Sequence, residues 1–123
     1  MTKRLTNISL VTQNVLSLRD FYAAVLELTP EGDDTFVVFT TSTIQLSICA
    51  AQIVEEMAPG LALHTGTGKC FLEFEVDDVD QEYTRLKALN ATITKPPTTQ
   101  PWGLRSVWFC DPDGNNINFF RQA

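Results

Sequence analysis

Positive charge is scarce in this chain of 123 residues: nine Lys and Arg stand against fifteen Asp and Glu, a net charge of −6. Nucleic acid and anionic membranes both recruit basic surfaces, so the balance argues against either as a partner. No run of about 18 apolar residues is available to cross a bilayer. Residues 1–15 lack the basic, apolar and small-residue segments of a secretory leader, so the expected location is cytoplasmic. Histidine is almost missing, with His64 the single one. Cysteine is sparse and odd in number: Cys49, Cys70 and Cys110 lie far apart, beside Ile48, Phe71 and Phe109. They read as free thiols serving as small hydrophobes. A catalytic thiol would need a base, and nothing in the spacing joins any of the three to His64.

Apolar mass is plentiful. The chain is 44% hydrophobic, with eight Phe and two Trp, enough for the core of one small domain. Residues 5–12 alternate as a strand does, and Asn14 then caps a helix with Leu18, Phe21, Tyr22, Val25 and Leu26 on its apolar stripe. The breaker-rich residues 29–34 end that helix, a weak strand falls within 28–32, and 35–41 with 43–50 form a strand pair. Gln52 to Met57 suit a short helical turn.

The same order then returns. Residues 70–77 form a strand, and Asp78 with Gln81 three residues on has the spacing of a capping box. Val79, Tyr83, Leu86 and Leu89 give the following helix its stripe. A short strand at 91–95, a Pro-rich loop at 96–103 and strands at 104–110 and 115–121 complete the chain. The repeat, with a period of roughly 50 residues, predicts an α+β architecture of two βαβββ modules, about 1–58 and 69–123, joined by a 59–68 linker. A ferredoxin-like sandwich alternates these elements too.

Four stretches, 7-NISLVTQNVLSLRDFYAAVL-26, 71-FLEFEVDDVD-80, 83-YTRLKALNATI-93 and 108-WFCDPDGNNINFF-120, resemble the vicinal oxygen chelate superfamily of glyoxalases, bleomycin-resistance proteins and extradiol dioxygenases. The resemblance implies curved mixed sheets around a ligand cavity, and a homodimer. It also implies a divalent metal held by His, Glu or Gln on the strands. The corresponding positions here carry Asn7, Phe71 and Asn118, with Gln45 a looser match in the first module. Phe71 cannot ligate, and a neutral amide supplies no charge to offset a divalent ion. The expectation is therefore no metal and no other cofactor.

In the last strand Asn116, Asn118 and Phe120 share one face, while Ile117 and Phe119 suit the helix side. Asn118 is thus expected on the ligand side. The residues expected to meet a small-molecule ligand are Asn7, Ser9, Gln45, Ser47, Phe71, Glu73, Trp102, Trp108, Asn116 and Asn118. Aromatic walls with an acid and a few amides suit a flat cationic or aromatic compound. Two functions follow. One is a metal-independent binding protein, similar to the antibiotic-sequestering members of the superfamily. The other is a lyase, isomerase or dioxygenase using Glu73 or His64 as general base.

Overall fold

The computed structural model describes residues 2–61 and 70–123. The backbone divides into two compact units, Met1–Gly66 and Thr67–Ala123. His64 lies outside the described residues.

In the first unit β1 (Asn7–Thr12) leads to α1 (Val15–Leu26), then β2 (Glu31–Gly32), β3 (Phe36–Thr40), β4 (Gln45–Ala50) and α2 (Ala51–Met57). The Asn14 side chain accepts a hydrogen bond from the Ser17 amide at 3.1 Å, which satisfies one of the free donors at the start of α1. Val15, Leu18, Tyr22 and Val25 are the buried face of this helix, while Phe21 and Leu26 are half-buried. Glu27 in a left-handed conformation ends it. The sheet has the order β1-β4-β3-β2, with β1 and β4 parallel and the other pairs antiparallel. Side chains alternate across a strand, so Leu10, Leu46, Ile48, Val37 and Phe39 fall on one face. These residues are buried, and a Tyr22–Phe39 ring contact at 6.4 Å ties α1 to β3 on that side.

The weak strand expected within 28–32 is β2, only two residues long. Gly32 is needed there. Its φ is +127°, and a Cβ at this position would lie 2.1 Å from the Phe36 carbonyl oxygen.

The second unit contains β5 (Phe71–Glu75), α3 (Val79–Ala88), β6 (Thr92–Thr99), β7 (Leu104–Cys110) and β8 (Asn116–Gln122). Its sheet order, β5-β8-β7-β6, repeats the topology of the first, again with one parallel pair, β5 with β8. Asp78 caps α3 by accepting from the Gln81 amide at 3.0 Å. Val79 and Leu86 are buried, Tyr83 is half-buried, and Leu89 departs from the expected stripe as an exposed C-cap residue. The departure follows from Asn90, whose φ of 60° turns the chain out of the helix. Leu72, Val107, Phe109, Ile117 and Phe119 form the buried sheet face, with Phe119 in edge-on contact with both Phe74 and Phe109.

Two differences from expectation have simple causes. The Pro-rich stretch is not all loop: β6 runs on through Pro96 and Pro97 to Thr99. Proline is tolerated because β6 is an edge strand, and register shifts between Ile93 and Lys95 and between Lys95 and Thr98 absorb the missing donors. The Asp-Pro-Asp-Gly reversal is tighter than its turn residues alone require. The Asp111 carboxylate is buried and accepts from the Asp113 amide, the Asn115 amide and the Asn115 side chain, at 2.8–2.9 Å. Gly114 supplies the positive φ, 87°.

No helix among the described residues is long and apolar enough to cross a membrane.

Candidate functional site

Each sheet turns one face to its helix and leaves the other to polar and aromatic side chains. In the first unit that second face carries Asn7, Ser9, Gln45 and Ser47, with Asn7 opposite Gln45 and Ser9 opposite Ser47. Three of the four close on one another. Asn7 Nδ2 donates to Ser9 Oγ at 3.0 Å, and Ser47 Oγ donates to Asn7 Oδ1 at 3.1 Å. Ser9 and Ser47 are 2.6 Å apart. Since Ser47 has spent its only proton on Asn7, Ser9 is the donor in that last bond. The result is a ring in which every hydroxyl both gives and accepts. Gln45 is exposed and stands outside it.

The second unit uses the same rungs for different chemistry. Phe71 is opposite Asn116, and Glu73 is opposite Asn118. On the other side of β8, Trp108 is opposite Asn118 and Cys110 is opposite Asn116. Asn118 Nδ2 donates to Glu73 Oε2 at 2.9 Å. Asn118 is only 2% exposed, and its Oδ1 is buried with no hydrogen-bond partner among the described residues. Phe71 and Trp108 stand on the strands either side of β8, yet their rings touch edge to face with centroids 5.0 Å apart. They therefore meet over β8, where Asn118 sits. Phe71 remains 53% exposed, so this cover is thin.

The two registers superpose by pattern. Asn7 corresponds to Phe71, Ser9 to Glu73, Gln45 to Asn116 and Ser47 to Asn118. The bonded rung Ser9–Ser47 is thus the counterpart of Glu73–Asn118. The register makes Ser47, and not Gln45, the first-unit counterpart of Asn118.

Trp102 is 71% exposed in the turn between β6 and β7. The run of β7 from Leu104 to Trp108 spans roughly 13 Å. Sequence reasoning missed two contributors. Cys110 donates its thiol to Asn116 Oδ1 at 3.6 Å, and Lys95 is opposite Trp108 across the β6 irregularity. Cys110 could have been found from its place two residues beyond Trp108 on the same face; the Lys95 pairing depends on register shifts no local pattern announces.

Two mixed four-stranded sheets of identical order, each after a βα start, define an α+β protein of two βαβββ units. The chain belongs to the Glyoxalase/Bleomycin resistance protein/Dioxygenase superfamily, whose family model matches residues 4–119. Solved structures agree. A glyoxalase/bleomycin resistance protein/dioxygenase from Nocardioides is 25% identical, covering 99% of this chain and 85% of its own, with a TM-score of 0.83. A family enzyme from Burkholderia phytofirmans PsJN is 20% identical over 96% of this chain and 98% of its own, with a TM-score of 0.85. A lactoylglutathione lyase from Agrobacterium tumefaciens is 23% identical over 98% of this chain and 94% of its own, with a TM-score of 0.77. Comparison with curated protein sequences finds no match.

The family implies a divalent metal, and the donors present do not fit one. Phe71 has no donor atom. Both polar atoms of the Asn7 side chain are engaged by Ser9 and Ser47. Asn118 turns its N–H group, which cannot ligate, toward Glu73, and the rung's remaining donors, one carboxylate and one amide oxygen, are by themselves too few for a divalent site. Among the described residues no three His, Cys, Asp or Glu side chains gather as a metal site would need.

Proposed function

We propose that this chain is a metal-independent small-molecule binding protein of its superfamily, which holds a cationic or aromatic compound, such as an antibiotic, without transforming it. One observation carries the reading: the Glu73–Asn118 rung beneath the Phe71–Trp108 ring pair. Where a metal enzyme of this fold needs charged or imidazole donors, these positions offer an apolar ring and an amide that are already committed to each other's neighbourhood. Glu73 and the net charge of −6 favour a cation, and aromatic faces attract one as well. The same reading has the protein acting as a homodimer in the cytoplasm, which sedimentation and fractionation would test.

The enzymatic alternative draws on the fold shared with the lactoylglutathione lyase and would need Glu73 or His64 as a base. The two readings separate in one set of measurements. The purified protein is expected to carry no stoichiometric Zn, Ni, Fe or Mn, and to melt higher with cationic aromatic antibiotics, since a ligand of the native state alone raises its apparent stability. Stoichiometric metal with turnover of a glutathione hemithioacetal or a catechol, and no compound that raises the melting temperature, would replace binding by catalysis.

A further inference from the structure

The Asn118 amide is half used. Its Nδ2 bonds Glu73, while its Oδ1 is buried and has no partner among the described residues, a state in which an amide oxygen loses its water and gains nothing in return. Turning the amide over does not help, since it would set Oδ1 against Glu73 Oε2 and strand the N–H group instead. Glu73, by contrast, is exposed and keeps Oε1 and further lone pairs for other donors. The rung therefore offers two neighbouring acceptors, one charged and one neutral, and the Asn118 Nδ2 is already bonded to Glu73. What it lacks is a group with two N–H bonds to give.

The cover narrows the choice. By register Phe71 and Trp108, whose rings meet at 5.0 Å, flank the Asn118 rung, so a group approaching Oδ1 would meet them. A tetrahedral ammonium holds its hydration shell tightly and is thick; a planar, weakly hydrated fork of N–H donors is thin and matches paired acceptors. Phe71 is the exposed member of the ring pair and would have to move aside for the ligand to enter.

We propose that the β5–β8–β7 face of the second unit is a subsite for an amidinium or guanidinium group carried on a flat apolar body. The N–H fork bonds the Glu73 carboxylate and Asn118 Oδ1, and the body lies against Phe71 and Trp108. This rests on the binding reading above and specifies the chemistry of its ligand.

Benzamidine, benzamide and benzoate test it, being alike in size and differing in charge and donors. Titration of the full chain, followed by calorimetry and by the side-chain amide resonances of Asn118, is expected to rank benzamidine first, then benzamide, with benzoate not bound. For so small a probe a dissociation constant of roughly millimolar is expected. Glu73→Gln and Asn118→Leu should each weaken benzamidine by about tenfold or more. Asn118→Leu keeps the branched shape, though it is bulkier, and removes the orphan oxygen, so it should melt close to the wild-type temperature while losing the ligand. A residue with a purely structural role would not separate those two readouts. If Asn118→Leu melts several degrees lower and binds benzamidine unchanged, or if benzoate binds as well as benzamidine, the proposal is overturned. Should benzoate or a neutral compound bind and raise the melting temperature, the general binding reading survives that failure; if no compound does, both fall.

Discussion

Asn118→Asp changes one atom type at the rung and inverts its sense. In the wild type Nδ2 gives its proton to Glu73 Oε2 across 2.9 Å. The substitution places an oxygen there. Two full charges at that distance repel by about 6 kcal/mol at an effective dielectric near 20, which is a ceiling. Glu73 is exposed, so it can swing out and water can screen it, and about 2 kcal/mol is the figure to expect at neutral pH. At about 2.1 cal/mol/K of unfolding entropy per residue, over 123 residues, that is a fall in melting temperature of about 8 °C.

The pH dependence carries the sharper test. The introduced carboxyl binds its proton more tightly in the folded chain, where an acid O–H restores the bond to Glu73, than in the unfolded one. Its contribution is therefore fully present below the ordinary carboxylate range and is lost as pH rises above it. Melting curves followed by circular dichroism should show the deficit near pH 8 and little of it near pH 4. If wild type and variant differ by the same amount at both ends, the rung is not a direct bond and the geometry of the site is wrong.

Three further outcomes follow from the structure. Asp111→Ala removes the acceptor of three hydrogen bonds in a buried turn and should cost about 2–4 kcal/mol in urea unfolding; a loss below about 0.5 kcal/mol would mean the turn stands without it. Burial pushes the Cys49 thiol up, whereas Cys70 is exposed, so Ellman's reagent should titrate Cys70 fast, Cys110 more slowly and Cys49 only on unfolding; equal rates for Cys49 and Cys70 would contradict the packing of β4. The Asp80 carboxyl is held below its ordinary value, first by its hydrogen bonds from Arg105, so it stabilises the fold above that value and ceases to as pH falls through its lowered one. Asp80→Asn should accordingly shift acid unfolding to higher pH at low salt, with the difference shrinking at high salt and vanishing once both chains are protonated.

Local chemistry made much of the fold legible. Asn14 and Asp78 cap the helices they were expected to cap, and Asp111 to Gly114 turn where turn residues said they would. The β6 strand was misjudged because proline marks a break in any local pattern, whereas its tolerance depends on β6 being at an edge. The site divides in the same way. That Asn116 and Asn118 share a face with Phe71 and Glu73 follows from alternation and a guess at register. That Phe71 and Trp108 meet over β8, that Asn118 is left with an unused oxygen, and that Asn7 is absorbed into a ring with Ser9 and Ser47 depend on pairings between residues 37 to 45 positions apart. No periodicity contains such distances.

The pairing of Glu73 with Asn118 also has a consequence in time. β7 and β8 form a hairpin that the Asp111 turn can close early, because few residues separate its arms. β5 joins β8 in parallel, across the whole of α3, β6 and β7, and so must wait until the intervening chain has been gathered. Trp108 and Asn118 are thus set in place together, and Glu73 and Phe71 arrive afterwards. Until that pairing forms, the chain can neither present the acid nor cover the amide, so loop-closure entropy predicts that the site is completed after the β7–β8 hairpin.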